Sequence, residues 1–195
     1  MSSITLLGDT SGSIVIDAPA IAGSNTITLP TTGGTIRTTR TPGTVLQVVY
    51  GETSDRTSWA PAAPWTDTGI TATITPSSTS SRILVLIDGK FGGSDAAVNF
   101  SLRLLRNNSL IYGGTDTANK QGFAHFEQGW TAFQYFIMPA NATTVDSPSS
   151  TSALTYKVQI AHNASGGTAF MNRTANNSAA QANTRSSITL LEIAG

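Results

Sequence analysis

The side chains able to do chemistry are few and poorly grouped. Two histidines, His125 and His162, stand among three glutamates, Glu52, Glu127 and Glu192, and eight aspartates, and the chain has no cysteine. Without thiols there are no disulfides, no thiolate zinc sites and no cysteine nucleophile. His125-Phe-Glu127 puts an imidazole and a carboxylate on one face if the segment is a strand. A metal there would need further imidazoles on neighbouring strands, yet His162 has only Asn163 beside it. A surface hydrogen-bonding role is the expectation for both. Gly8-Asp-Thr-Ser-Gly12 holds a serine between glycines, but the nucleophile spacing Gly-x-Ser-x-Gly is absent and only the two histidines could serve as base. Gly89-Lys90 has Leu84 where a phosphate-binding loop requires its first glycine. Any sandwich can bring two carboxylates together, and no spacing among these singles out a glycosidase pair. The expectation is a protein without catalysis, cofactor or metal.

Recognition is the other chemistry available. Trp59, Trp65, Tyr112 and Trp130 lie beside turn-like stretches, where they could stack on the rings of a surface glycan or cap the ends of a core. Eleven Lys+Arg against eleven Asp+Glu give a net charge of +0, so nothing attracts a phosphate backbone or an anionic membrane. Apolar runs such as Ile83–Ile87 fall far short of the ~20 residues that span a bilayer. Met1-Ser-Ser-Ile-Thr has no basic region of the kind that opens a secretion signal, so a soluble chain without a leader is expected.

Elements that could position these groups are strands. With 22 Ser, 30 Thr, 18 Gly and only three Lys and three Glu, little is left from which to build exposed helices. Period-two alternation dominates: Ile70, Ala72 and Ile74 against Thr71, Thr73 and Thr75; Val98, Phe100, Leu102 and Leu104 against Asn99, Ser101 and Arg103; Tyr156, Val158 and Ile160 against Lys157 and Gln159. Ile83–Ile87 and Phe133–Met138 are apolar on both faces, as central or interface strands are. About eight strands between Thr44 and Ala194, with Gly/Ser/Asn/Pro loops and no alternation with helices, predict an all-β, antiparallel, jelly-roll-like β-sandwich head.

The first 43 residues read differently. Short strand-like pieces, Ser3–Leu7, Ser13–Asp17, Thr26–Leu29 and Thr35–Thr38, alternate with turns and hold too few apolar groups for a core. Pro42-Gly43 is the expected boundary, giving an extended N-terminal β-rich arm, 1–43, and a head, 44–195. Unpaired arm strands gain hydrogen bonds by adding to a neighbour's sheet, with Ile14, Val15, Ile16, Ile27 and Leu29 entering adjacent grooves. Ser2-Ser-Ile-Thr-Leu-Leu7 recurs as Ser186-Ser-Ile-Thr-Leu-Leu191, a repetition that composition alone explains. In the last strand Ile188 and Leu190 point one way and Leu191 and Ile193 the other, so burial of both faces requires a neighbouring subunit.

Four stretches are familiar: Gly43–Val49, Thr71–Val85 with its Thr-Pro-Ser-Ser-Thr-Ser-Ser-Arg, Asp146–Gln159, and Arg185–Gly195, preceded by Gly23-Ser-Asn-Thr-Ile-Thr-Leu-Pro30 and Gly34-Thr-Ile36. Together they resemble a domain of tailed bacteriophages of aquatic bacteria that recurs in fibre-like and head-decorating virion proteins. The resemblance implies a homotrimer of jelly-roll heads, similar in plan to tumour-necrosis-factor-like proteins, with Ile188, Leu190, Leu191 and Ile193 at the trimer interface. It implies a place on the virion surface after assembly in the host cytoplasm, a major capsid protein or other virion protein as partner, and no nucleic acid or membrane. A short arm and one compact head suit a capsid decoration, or cement, protein. The alternative is a short tail fibre or head fibre whose tip binds host surface glycan through Trp59, Trp65, Tyr112 and Trp130.

Overall fold

The computed structural model describes residues 3–7, 11–17, 41–95, 98–114, 122–127, 135–162, 166–177, 179 and 183–195. The chain divides into two compact units, Met1–Ile36 and Arg37–Gly195. The second begins seven residues before the head expected to start at Thr44. Gly43 N donates to Ala194 O and Ala194 N to Thr44 O, each at 2.8 Å, which ties the residues after Pro42 to the last strand of the head.

Among the described residues there are thirteen strands and no α-helix. In the first unit, β1 (Ser3–Leu7) and β2 (Ser13–Asp17) pair as an antiparallel ribbon. The second unit contains β3 (Val45–Thr53), β4 (Ser58–Trp59), β5 (Thr66–Ile74), β6 (Arg82–Gly93), β7 (Asn99–Arg106), β8 (Ser109–Tyr112), β9 (Ala124–Glu127), β10 (Met138–Asp146), β11 (Leu154–His162), β12 (Ala169–Met171) and β13 (Ser186–Ile193). One sheet runs β3-β13-β6-β12-β4 with β10 on the other edge of β6; the second runs β5-β11-β7-β8 with β9 also on β7. The partners nest antiparallel, β3 with β13, β5 with β11, β6 with β10 and β7 with β9. Eight of these eleven strands nest in pairs split between two sheets, the jelly-roll arrangement; β4, β8 and β12 are short strands beyond the about eight expected.

Alternation decides which face each strand buries. Ile70, Ile74, Phe100, Leu102, Leu104, Tyr156, Val158 and Ile160 from one sheet meet Ile83, Val85, Ile87, Phe91, Ile188 and Leu190 from the other, all buried. The chain of rings Trp59–Phe91–Phe100–Phe126 fills one end of this core, with successive centroids 6.4, 5.8 and 4.7 Å apart. At the corner where the sheets meet, a Cβ on Gly51 would stand 2.1 Å from the Thr71 carbonyl oxygen, so only glycine permits that approach. The β7–β8 turn uses Asn107 and Asn108 at φ 47° and 70°, the left-handed pair that a two-residue hairpin demands.

One strand departs from expectation. The doubly apolar stretch Phe133–Met138 is not the strand: residues 133 and 134 lie outside the described set, 135–137 are non-strand, and β10 is the more polar Met138–Asp146. β10 is a sheet edge, where an alternating strand needs only a thin inner row such as Ala140 and where Pro139 costs no ladder bond.

Two carboxylates close one end of the sandwich. Asp146 Oδ2 accepts from Arg106 at 2.6 Å and from the Tyr156 hydroxyl at 2.7 Å, linking edge strand β10 to β7 and β11 of the other sheet. Burial and the adjacent Asp146 carboxylate push the Tyr156 hydroxyl well above its usual range. Glu192, fully buried on β13, accepts from Ser77 N, Ser77 Oγ and Ser81 Oγ at 2.7 Å each and from Gln47 Nε2 at 2.6 Å. Burial raises the Glu192 carboxyl, but the donors Ser81, Gln47 and Ser77 together outweigh it and hold the group below its usual 4.5. A depressed folded value contributes stability that is full above 4.5 and is lost as pH falls through the folded value. Glu192→Ala, which orphans the buried Ser81 hydroxyl and removes the acceptor of Ser77 and Gln47, should cost about 3 kcal/mol in denaturant unfolding. Glu192→Gln should flatten the acid limb of stability against pH; an unchanged limb would mean that the charge at Glu192 contributes nothing.

Candidate interaction surface

The two outer faces of the sandwich are chemically opposite. On the β5-β11-β7 face most outward residues are polar and bonded to one another, and Leu105, opposite Leu110 of β8, is buried there. Thr73 and Thr155 share a hydrogen bond of 2.8 Å, and Thr71 Oγ1 donates to Tyr156 O at 3.0 Å. Asp67 accepts from Lys157 at 2.8 Å and from Gln159 Nε2 at 2.7 Å; Gln159 Oε1 accepts from Arg103 at 3.0 and 2.7 Å. Burial raises the Asp67 carboxyl, yet the hydrogen bonds and the Lys157 charge hold it below the usual carboxylate value. The Arg103 guanidinium lies 4.1 Å above the Trp65 ring, a cation–π stack over a half-buried indole. This face satisfies itself and is suited to water.

On the β3-β13-β6-β10 face the outward residues are mostly aliphatic and aromatic, with Thr189, Thr143 and Arg82 among them. The register sets Val48, Leu191, Leu84 and Val145 side by side across four strands, and Tyr50, Thr189, Leu86 and Thr143 in the next row. Val48 and Tyr50 are each 59% exposed, Val145 56% and Leu86 37%, while Leu191, Leu84 and Ile193 are half-buried by their neighbours. Four strands and five residues of length make a patch roughly 19 Å by 17 Å, on the order of 300 Å². A contiguous apolar patch of that size on a monomer is commonly functional. Beyond it comes a polar row, Glu52, Ser187, Asp88 and Asn141, where Arg185 pairs with Glu52 and Lys90 with Asp88. An apolar centre inside a charged margin is the anatomy of a protein–protein interface.

The residues singled out in the sequence fall in different places. Ile188 and Leu190 are fully buried in the subunit's own core, so of the four interface candidates only Leu191 and Ile193 reach the outer face. Trp59 is a core residue at 6% exposure, Trp65 lies under Arg103, and Tyr112 stacks on Phe123 with centroids 6.0 Å apart. Ile27, Leu29 and Trp130 lie outside the described residues. In the ribbon, Ile14 stands opposite Leu6 in register, and Val15 and Ile16 are 55% and 50% exposed. His125 Nδ1 meets Ser101 Oγ at 3.0 Å, and His162 is buried at the end of β11. Leu84 and Leu86 lie in the Ile83–Ile87 stretch expected to be apolar on both faces, but Val48, Tyr50 and Val145 escaped notice, because only the register reveals which side-by-side residues form one patch.

No protein-family model matches the sequence, and no curated protein is similar to it.

If the patch contributes little to the subunit's own fold, the triple substitution Val48→Thr, Leu86→Thr, Val145→Thr should leave unfolding free energy within about 1 kcal/mol of the parent, as exposed substitutions do. The same variant should bind less of a hydrophobic dye. A large loss of stability would show that these side chains support the subunit and not a partner.

Proposed function

We propose that this chain is a non-enzymatic virion structural protein of a tailed bacteriophage, a capsid decoration protein that binds and stabilises the head shell as a homotrimer. The observation that carries the reading is the contrast between outer faces: one sheet presents a self-satisfied polar surface and the other an apolar patch with charged margins. A subunit built that way turns one side to water and the other to copies of itself, and cyclic symmetry closes such an interface. The phage-like phrases at Gly43–Val49, Thr71–Val85, Asp146–Gln159 and Arg185–Gly195 supply the kind of particle. The β1–β2 ribbon, ten strand residues whose apolar groups are largely exposed, suits the attachment role of the arm, because an isolated two-stranded ribbon is marginal until it adds to a larger structure.

A short tail fibre or head fibre reading host surface glycan is the second reading, favoured by Trp65 beside Arg103, Gln159, Asp67 and Lys157 on the polar face. Its weakness is that this ring face is taken by Arg103 and Trp59 is in the core.

Light scattering should give a trimer mass unaffected by reducing agent, since the chain has no cysteine. Leu191→Asp should dissociate it, because a carboxylate buried unpaired at an interface costs several kcal/mol. A monomer at micromolar concentration would remove the trimer from the reading.

Attachment is tested separately by mixing undecorated capsids with the full chain and with a chain beginning at Arg37, the start of the second unit. Three arms on one trimer give avidity, so their removal should weaken binding by about a hundredfold or more. With neutral charge, binding of the full chain should change little with salt. Undiminished binding of the shortened chain would relocate the anchor to the head; binding to host cells and not to capsids would favour the fibre.

A further inference from the structure

Of the six residues repeated at the two ends of the chain, five, Ser3–Leu7 and Ser187–Leu191, form strands in both places, and their pairing repeats as well. In the ribbon Ser3 faces Asp17, Ile4 faces Ile16, Thr5 faces Val15, Leu6 faces Ile14 and Leu7 faces Ser13. In the head Ser187 faces Asp88, Ile188 faces Ile87, Thr189 faces Leu86, Leu190 faces Val85 and Leu191 faces Leu84. The described part of β1 thus matches β13 residue for residue, and β2 presents the Ile-Asp of β6 at the same register positions, with Val15 for Leu86, Ile14 for Val85 and the polar Ser13 for Leu84. Composition explains a shared word but not a shared partner in the same register.

The consequences of that pairing differ in the two units. In the head, Ile188, Leu190 and Val85 are completely buried and Ile87 nearly so, under the second sheet. In the ribbon the corresponding Ile4, Leu6 and Ile16 are 64%, 54% and 50% exposed. Among the described residues, the ribbon therefore carries a core-type face that nothing covers as the second sheet covers its counterpart in the head.

We infer that this missing layer is the same ribbon in other copies of the chain: the Ile4, Leu6 and Ile16 faces of neighbouring subunits pack together into a shared core. This rests on the reading of the head as a symmetric oligomer, which brings one ribbon per subunit to the assembly. Area decides the order of events. Two five-residue strands offer roughly 10 Å by 17 Å, on the order of 170 Å² per copy, against ~800 Å² per partner in a stable interface. The ribbons cannot hold subunits together; they pack once the heads have made their contact intramolecular. The face carries no charge, so no oppositely charged partner is called for, and aliphatic faces of equal width interdigitate as stacked sheets do. The other side of the ribbon, with Val15 and Leu7 at 55% and 81% exposure, stays available for the shell.

The absence of cysteine makes a direct test possible in the full chain. Ile16→Cys and, separately, Leu6→Cys place a thiol on the proposed shared face, and Val15→Cys places one on the opposite face. Under mild oxidation the first two should form about tenfold more interchain disulfide than the third, because the bond closes only when Cα atoms come within ~7 Å. The oligomer is followed by light scattering in parallel. Equal cross-linking on the two faces, or none from Ile16→Cys and Leu6→Cys in an intact oligomer, overturns the shared ribbon core and leaves the head interface standing. A monomeric parent chain overturns both.

Discussion

The head depends on the seating of β13 between β3 and β6. Its inward row is Ser186, Ile188, Leu190 and Glu192: two aliphatic side chains in the core with a polar group at each end. Glu192 gathers the Pro76–Ser81 turn and Gln47, while Ser186 donates to Asn172 Oδ1 at 2.7 Å and accepts from Lys90 N at 3.0 Å. Asn172 in turn holds Thr53 O and Asp55 O at 3.0 and 3.1 Å from a left-handed backbone position, φ 60°. A slip of one residue would send Ile188 and Leu190 to the outer surface and leave both polar ends without partners. Hydrophobic burial makes the strand pair favourable; the polar ends choose the register.

That choice determines the outside of the molecule. Once the inward row is set, Thr189, Leu191 and Ile193 face outward, and Val48, Tyr50, Leu84, Leu86 and Val145 line up beside them through the ladder. The apolar patch is therefore a by-product of core register in its position, though not in its composition. Nothing in the fold requires Leu84 and Leu86 to be aliphatic where the opposite sheet carries Thr71, Thr73, Lys157 and Gln159 at outward positions.

Much of the sandwich was legible in the sequence because alternation is a local signal. The inward sets of β5, β7 and β11 and the limits of β1 and β2 follow directly from the spacing of aliphatic residues. Strand β10 was not legible, because Met-Pro-Ala-Asn-Ala-Thr-Thr-Val-Asp has a weak inner row and a proline, and an edge strand needs no more. The roles of Glu192 and Asn172 were hidden for another reason: their partners lie as far as 145 and 119 residues away in the chain. Trp59 and Trp65 look alike in sequence, and only packing sends one into the core and the other beneath Arg103. For β13 the two faces were separable by parity, but which one meets the second sheet was set by β3 and β6.

The nesting of strands also governs the timing of folding. β3 must wait for β13, and the innermost pair, β7 with β8 and β9, is the first that can close in the head; pairings this distant make for slow folding, in milliseconds to seconds. During that interval the slot beside β3 is open, and the chain already holds a second strand spelled Ser-Ile-Thr-Leu-Leu. A ribbon joined by only residues 8–12 closes within ~10 μs. The copy of the β13 sequence at the other end of the chain thus meets a local partner, β2, long before β3 and β6 are in place.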